Sequence, residues 1–175
     1  QLHQIVQGQY SEIIVDEFQD INKLDFEFIK MIAGQAVLIV TGDDDQAIYG
    51  FRGCKPDYII DLEKHLGQPV TSFELQKNYR NPPNLIAHAN QLIQHNTNRI
   101  AKDPIPSRTD DSEIKVMATV SATVEARLVI SLIKQVREGN PALLCSDFAV
   151  LYRTNAQSLP FQIELVLNNV PYYVR

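Results

Sequence analysis

The sequence contains no tryptophan, only two cysteines and no long apolar segment. No apolar run approaches the roughly 18 to 20 residues that span a bilayer, and residues 1–4 lack the charged and apolar regions of a signal peptide. Cys54 and Cys145 lie 91 positions apart without a CxxC motif, so neither a disulfide framework nor a zinc site is predicted. These absences favour a cytoplasmic protein without a membrane segment.

Metal-binding and phosphate-binding motifs are also missing. The four histidines form no HExxH motif and have no partner cysteines, so we do not expect them to bind a metal. None of the seven glycines begins the sequence GxxxxGK[ST], the loop that cradles phosphate groups in many nucleotide hydrolases. The chain by itself is therefore not expected to hydrolyse a nucleotide efficiently.

The charge is small overall but unevenly distributed. A net charge of −5 argues against binding nucleic acid by bulk electrostatics. Residues 1–75 hold 5 basic and 13 acidic side chains, whereas residues 76–108 hold 5 basic and 1 acidic. An acidic first part suits a divalent cation and a basic middle part suits phosphate, but ordinary surface variation explains the charge about as well.

The first part of the chain, residues 1–72, has the pattern of an α/β domain. The predicted order is strand, helix, strand, helix and strand, over residues 12–16, 23–33, 36–41, 56–66 and 70–75. Asn22 is a predicted helix cap and Gly34 a predicted helix end, while residues 36–41 form a continuous apolar run typical of a parallel strand covered on both faces. The order βαβαβ is typical of a doubly wound sheet.

A second domain is predicted over residues 73–175. Helices, strands and a terminal extended run are predicted over residues 82–95, 113–120, 123–138, 148–152, 160–168 and 172–175. Pro160 fits only the first turn of its helix. Because the chain begins just before one predicted strand and stops inside another extended run, we expect both domains to be incomplete.

Residues 16–20, with the sequence DEFQD, place two adjacent acids where an apolar strand is predicted to end. Ligands of α/β folds bind outside the carboxyl ends of strands, where one carboxylate can hold a magnesium ion and its neighbour can orient or deprotonate water. The alternative is a solvated acidic turn, which is the commoner explanation of an isolated Asp-Glu pair.

Residues 42–53, with the sequence GDDDQAIYGFRG, combine acids, an amide, two aromatics and an arginine between glycines. A glycine-rich loop lets the backbone approach a ligand, and Gln46 can report on a phosphate or a water. Tyr49, Phe51 and Arg52 can stack on bases and pair with phosphate. Alternatively, the two aromatics are core residues that plug the loop.

Residues 78–83, with the sequence NYRNPP, place an aromatic and an arginine before a helix start, where free amides favour anions. Arg80 offers a forked donor for phosphate and Tyr79 a flat face for a purine. Either side chain could equally serve a local salt bridge or a core contact.

Four segments taken together carry a resemblance that none carries alone. In order along the chain they are DEFQD, GDDDQAIYGFRG, NYRNPPNLIAHAN and FAVLYRTNAQS. They resemble motifs II, III and IV and a later second-domain motif of the UvrD/Rep/PcrA-type superfamily 1A DNA helicases. The resemblance implies a P-loop NTPase of α/β class with RecA-like parallel sheets and flanking helices. Residues 1–72 would be the C-terminal part of domain 1A, and residues 73–175 the N-terminal part of domain 2A.

The resemblance also implies roles in ATP hydrolysis. Asp16 would bind Mg²⁺, Glu17 would activate the attacking water, and Gln46 would sense the γ-phosphate of ATP. Tyr79 would stack on the adenine, and Arg80 would reach the γ-phosphate from the second motor domain in the manner of an arginine finger.

The implied partner is single-stranded DNA, together with duplex junctions; protein partners are not implied. Tyr49, Phe51 and Arg52 would face the strand, and Arg153 and Asn155 would contact its backbone from the other domain. The family often has tryptophan where this chain has Phe51, so the stacking face is smaller here.

The function implied for the parent protein is an ATP-dependent 3′–5′ DNA helicase of DNA repair or replication. One alternative is a helicase-nuclease, because the same motor segment resembles those proteins too. Another is a non-catalytic RecA-like module that binds DNA or protein without turnover, in which case the upstream sequence would lack a phosphate loop.

Overall fold

The computed structural model describes residues 9–174, and the chain divides into two compact units between Glu113 and Ile114. Residues 1–4, which were compared with a signal peptide, lie outside the described residues, as does Arg175 at the end of the extended run predicted for residues 172–175. No helix within residues 9–174 is long and apolar enough to cross a membrane.

The first unit begins with a β-α-β arrangement. Strands β1 (Glu12–Val15) and β2 (Val37–Val40) pair in parallel, and helix α1 (Lys23–Ala33) connects them. Asn22 caps α1 because its Oδ1 accepts hydrogen bonds from the amides of two first-turn residues, and Gly34 ends the helix with a φ of 54°. The predictions of both strands, the helix and its two ends are confirmed.

An aromatic core joins this arrangement to the residues that follow. Phe18 and Phe26 are 0% and 2% exposed, and the Phe26 ring stacks on Tyr58 with 4.7 Å between ring centroids. Fully burying side chains of this size stabilises a fold by about 1.5–3 kcal/mol each. The core therefore fixes the segment after β1 and the helices after β2 in one place.

The prediction of one helix over residues 56–66 is wrong in one respect, because the structure has two short helices there. These are α2 (Asp57–Ile60) and α3 (Leu62–Leu66). Asp61 separates them because its backbone, with φ −107° and ψ 34°, leaves the helical region. Gly67 ends α3 in the left-handed conformation.

The first unit ends with a second small sheet and a longer helix. Strands β3 (Lys77–Asn78) and β4 (Ile105–Pro106) pair in parallel, and helix α4 (Pro83–Ile93) lies between them in the chain. The predicted helix over residues 82–95 is confirmed, with Pro83 at its first position, where a missing amide hydrogen costs nothing.

Over residues 114–174, the second unit contains two α-helices, α5 (Ala122–Gly139) and α6 (Ser158–Leu167). Ala126 and Ile130 of α5 are buried, and Arg127 Nε donates to Glu164 Oε1 of α6 at 2.8 Å. Both helices were predicted, although α5 includes Gly139 rather than ending before it.

Three predicted strands are not formed in the structure. The segments concerned cover residues 70–75, 113–120 and 148–152, and none has regular structure. Leu75, Val116 and Leu151 are 96%, 97% and 93% exposed. An extended segment becomes a strand only by pairing with a neighbour, and the described residues offer these segments none.

The sheet of β1 and β2 is also less covered than its sequence predicted. Ile14, Val37 and Ile39 are 67%, 57% and 41% exposed, so within the described residues one face of the sheet is open. The apolar run of residues 36–41 predicted cover on both faces, and that prediction is wrong for the part of the chain that the structure describes.

Candidate active site

The end of β1 holds the first candidate residue, Asp16. Its Oδ1 accepts hydrogen bonds from the hydroxyl of Thr41, which follows β2, and from the backbone amide of Glu17. The Thr41 hydroxyl, followed by the Glu17 amide, holds the pKa of the Asp16 carboxyl below its usual value. Asp16 is exposed and therefore presents an ionised carboxylate to solvent near neutral pH.

Glu17 follows in a left-handed backbone conformation, with φ 52° and ψ 43°. Residues other than glycine adopt this conformation at a cost of about 1–3 kcal/mol, and they cluster at functional sites. The Glu17 carboxylate accepts a hydrogen bond from Gln19 Nε2 at 2.7 Å. The hydrogen bond from Gln19 thus fixes the direction of the Glu17 carboxylate at the end of β1.

Gln19 links this strand end to the loop after β2. Its side chain is buried, 1% exposed, and its Oε1 accepts a hydrogen bond from the backbone amide of Asp43 at 3.0 Å. Gly42 makes room for this bridge, because a Cβ at position 42 would lie 2.6 Å from Gln19 Oε1 and 3.1 Å from the amide nitrogen of Phe18. The two acidic motifs are therefore joined through one buried amide.

Gln46 completes the chain of hydrogen bonds. Its Nε2 donates to Asp43 Oδ2 at 2.7 Å, and its backbone amide donates to the Asp43 carbonyl at 2.9 Å. Because Gln46 is exposed, its amide group remains accessible while Asp43 orients it. Glu17, Gln19, Asp43 and Gln46 thus form one connected polar network.

Two cations from later in the chain pair with the three consecutive aspartates. Arg99 donates to both carboxylate oxygens of Asp45, at 2.7 and 2.6 Å. Lys102 Nζ lies 2.8 Å from Asp43 Oδ1 and 3.3 Å from Asp45 Oδ2, and it also pairs with the buried carboxylate of Asp44.

These pairs shift the titration of the loop. The hydrogen bonds from Arg99 hold the pKa of Asp45 below its usual value, and they outweigh the opposing effect of burial. Burial would raise the pKa of Asp43, but hydrogen bonds from Lys102 and Gln46 outweigh it and lower the pKa. Burial likewise opposes charge on Lys102, yet its hydrogen bonds to Asp43 and Asp44 raise the pKa.

A separate aromatic and cationic cluster lies in the following turn, Gly50–Arg52. The rings of Tyr49 and Phe51 are 5.9 Å apart, and the Arg52 guanidinium lies 4.9 Å from the Tyr49 ring and 5.8 Å from the Phe51 ring. Phe51 is 69% exposed and Tyr49 is half-buried, so Phe51 does not plug the core. The structure brings these three predicted residues together.

Tyr79 and Arg80 lie on an exposed turn before α4. The Asn78 side chain accepts hydrogen bonds from the amides of Arg80 and Asn81, at 3.0 and 2.9 Å, and so fixes the turn. Tyr79 is 71% exposed. Within the described residues, neither side chain contacts the network of Glu17 and Gln46, although all four residues belong to the first unit.

Arg153 and Asn155 belong to the second unit. Both are exposed, and they lie where a short turn, Asn155–Gln157, leads into α6. Gln157 Oε1 accepts hydrogen bonds from the backbone amides of Arg153 and Thr154, both at 2.9 Å, and thereby holds the turn.

Sequence reasoning missed four polar residues that belong to the network or bond to the acids beside it. They are Gln19, Thr41, Arg99 and Lys102. Gln19 stands inside DEFQD, so a search for amides between the acids could have found it. Arg99 and Lys102 lie more than fifty positions from their partners, and nothing in the local sequence indicated the contact.

These residues can hold a magnesium ion only if a phosphate ligand completes its coordination. Within residues 9–174 no group of three or more His, Cys, Asp or Glu side chains could hold a metal. Magnesium is commonly held by one or two carboxylates, with waters and substrate phosphates as the other ligands. Asp16 can supply one such carboxylate.

Comparison with protein families matches nearly the whole chain. The model of the UvrD/REP helicase N-terminal domain matches residues 1–67, and the model of the UvrD-like helicase C-terminal domain matches residues 73–175.

Individual relatives carry related names. ATP-dependent DNA helicase PcrA of Leuconostoc citreum is 37% identical over 167 residues, which cover 95% of this chain and 22% of that protein. DNA helicase II of Escherichia coli (strain K12) is 32% identical over 169 residues, covering 95% of this chain and 23% of the relative. DNA helicase II of Haemophilus influenzae is 34% identical over 170 residues, which cover 96% of this chain and 23% of that protein. The chain thus spans less than a quarter of each relative.

Proposed function

Because the chain belongs to the UvrD-like helicase family, we propose that the full-length protein is an ATP-dependent DNA helicase that moves 3′ to 5′ along single-stranded DNA. It would separate strands at duplex junctions, in the cytoplasm, during DNA repair or replication. The names of its relatives, a PcrA helicase and two DNA helicase II proteins, support the proposal.

The observation that carries the proposal is the hydrogen-bonded network from Glu17 through Gln19 and Asp43 to Gln46. A water-activating carboxylate and a phosphate-sensing amide must hold fixed positions relative to each other, since misplacement by 1 Å can cost about a hundredfold in rate. A solvated acidic turn would not need a buried glutamine to join it to the next loop.

In hydrolysis, Asp16 would hold Mg²⁺ and Glu17 would accept a proton from the attacking water. Gln46 would hydrogen-bond the γ-phosphate, Tyr79 would stack on the adenine, and Arg80 would stabilise the developing charge. Magnesium, when bound with the nucleotide, supplies charge neutralisation at the phosphates.

On DNA, Tyr49 and Phe51 would stack on bases while Arg52 pairs with phosphate. Arg153 and Asn155 would contact the strand backbone from the second motor domain. The exposure of Phe51 and the packing of Arg52 on both rings support this role for the cluster.

We also propose that residues 1–72 and 73–175 are parts of two RecA-like motor domains, 1A and 2A. The separate family matches on either side of residues 68–72 support this boundary. In the full-length protein, further strands would pair with the extended segments at residues 70–75, 113–120 and 148–152. The phosphate loop would come from outside this chain, which alone would hydrolyse ATP poorly.

The test is DNA-stimulated ATP hydrolysis and strand separation by the full-length protein, comparing wild type with Glu17→Gln and Arg80→Ala. We expect both variants to bind nucleotide and to lose turnover, Glu17→Gln by about 10²–10⁴-fold. An intact protein without DNA-dependent hydrolysis would favour the alternative of a non-catalytic binding module. Nuclease activity that accompanies unwinding would instead identify a helicase-nuclease.

A further inference from the structure

The segment at residues 98–102 makes an unexpected set of contacts with the loop after β2. We call residues 43–45 the aspartate loop, and Arg99 with Lys102 the basic clamp. The loop belongs to the part matched by the N-terminal family model, whereas the clamp belongs to the part matched by the C-terminal model. The contact therefore joins the two matched parts within the first unit.

The clamp is specific in its geometry. Arg99 grips both oxygens of Asp45, and the amide of Ile100 donates to Asp44 Oδ2 at 2.9 Å. The side chains of Asp44, Arg99 and Lys102 are only 3%, 14% and 21% exposed. Pairs this sheltered and this directional are held more firmly than exposed surface pairs.

One carboxylate of the loop is shared between the clamp and the proposed phosphate sensor. Asp43 Oδ1 lies 2.8 Å from Lys102 Nζ, and Asp43 Oδ2 accepts a hydrogen bond from Gln46 Nε2 at 2.7 Å. The Asp43 carboxylate cannot rotate without losing one of these two contacts. Lys102 and Gln46 also line the same cavity, of about 470 Å³.

We propose that Lys102, supported by Arg99, is a positioning residue that fixes the Gln46 side chain through Asp43. The inference rests on the proposed function, since it assigns Lys102 a part in ATP hydrolysis. Lys102 acts through the orientation of Asp43 and needs no contact with the nucleotide. Its position in the C-terminal matched part makes the sensor responsive to the seating of the 98–102 segment on the aspartate loop.

The test uses the full-length protein and measures kcat and KM for ATP in DNA-stimulated hydrolysis, together with the melting temperature. The variants are Lys102→Met, Lys102→Arg and, as a matched control, Lys64→Met, because Lys64 is an exposed lysine of α3 in the same unit. The decisive comparison places Lys102→Met in a Gln46→Ala background.

We expect Lys102→Met to lower kcat by about tenfold to a hundredfold with little change in KM, and Lys102→Arg to restore most of it. In the Gln46→Ala background, Lys102→Met should cost less than about twofold more, since the residue through which it acts is gone.

Equal effects of Lys102→Met in both backgrounds, or an effect no larger than that of Lys64→Met, would overturn the positioning role. If Lys102→Met does not fold, Lys102→Arg decides: kcat close to wild type supports positioning by a cation at this place, and a loss equal in both backgrounds overturns it. Wild-type protein without DNA-stimulated hydrolysis would overturn the proposed function itself, which is a distinct result.

Discussion

The residues from Asp16 to Gln46 and the pair Tyr79–Arg80 are held by the chain in different ways. In the first region, a buried amide, a left-handed backbone and two cations fix the polar side chains. In the second, the Asn78 side chain fixes the backbone, while Tyr79 remains 71% exposed.

This difference indicates which part of the proposed site is built before a ligand arrives. Folding already fixes the polar side chains of the first region, so a nucleotide would meet hydrogen-bond donors and acceptors in place. Tyr79 and Arg80 would gain their contacts only when nucleotide and the other motor domain come together. In the proposed enzyme, such a division would make hydrolysis depend on closure of the two motor domains.

The largest expected effect separates the two regions most sharply. Arg80→Ala should reduce DNA-stimulated ATP hydrolysis by about 10³-fold or more, the scale of an arginine finger, while leaving the melting temperature of the chain nearly unchanged because the residue is exposed. Steady-state kinetics and thermal unfolding measure the two quantities. A large loss of stability would mean that Arg80 has a structural role.

A change in the first region should instead affect stability and hydrolysis together. Gly42→Ala places a Cβ 2.6 Å from Gln19 Oε1, which must move, so we expect a loss of about 1–3 kcal/mol in the free energy of unfolding. Gly139→Ala is the matched control, since a Cβ there meets nothing within 4 Å. Urea unfolding of both variants measures the difference, and equal stabilities would show that Gln19 is not tightly held.

Phe51→Ala tests the aromatic cluster, which lies between the two regions in sequence. Removing an exposed stacking face should weaken binding of single-stranded DNA by about 1–3 kcal/mol, while hydrolysis without DNA stays unchanged. Fluorescence anisotropy with labelled oligonucleotides gives the affinity, and Phe51→Trp should match or exceed wild type. Unchanged affinity in the alanine variant would remove Phe51 from the proposed DNA site.

The smallest expected effect is the pH dependence of stability that arises from the aspartate loop. Since the pKa values of Asp43 and Asp45 are lowered by folding, their stabilisation is complete above the ordinary aspartate pKa of about 3.9 and is lost as pH falls below it. The raised pKa of Lys102 acts in the opposite direction, so its stabilisation is lost only above about pH 10.

Asp45→Asn should therefore be less stable than wild type at pH 7, and the difference should shrink as the pH falls towards 3. Urea unfolding at several pH values measures it. A difference that stays constant down to pH 3 would mean that the charge of Asp45 contributes nothing. Arg80→Ala should show no such pH dependence, because within residues 9–174 Arg80 makes no hydrogen bond or ion pair with the aspartate loop.

Local sequence determined the elements whose ends carry their own chemistry. Helix α1 has an Asn22 cap and a Gly34 stop, and both ends were predicted. Strand β1 and strand β2 were predicted from apolar runs, and DEFQD and GDDDQ were placed correctly at their ends. For the helix, the decisive capping interactions are between residues close in the chain. The two strands also had to pair with each other, at a separation of 25 positions.

Tertiary structure decided what depends on distant partners. The runs at 70–75, 113–120 and 148–152 have strand-like sequences, yet a strand needs a neighbour, and within the described residues none pairs with them. Gln19 and Lys102 belong to the site for a related reason, because folding places Asp43 within bonding distance of both side chains. The sequence by itself determined which groups could do the chemistry, and only folding decided which of them meet, since hydrogen bonds and ion pairs depend on distance in space.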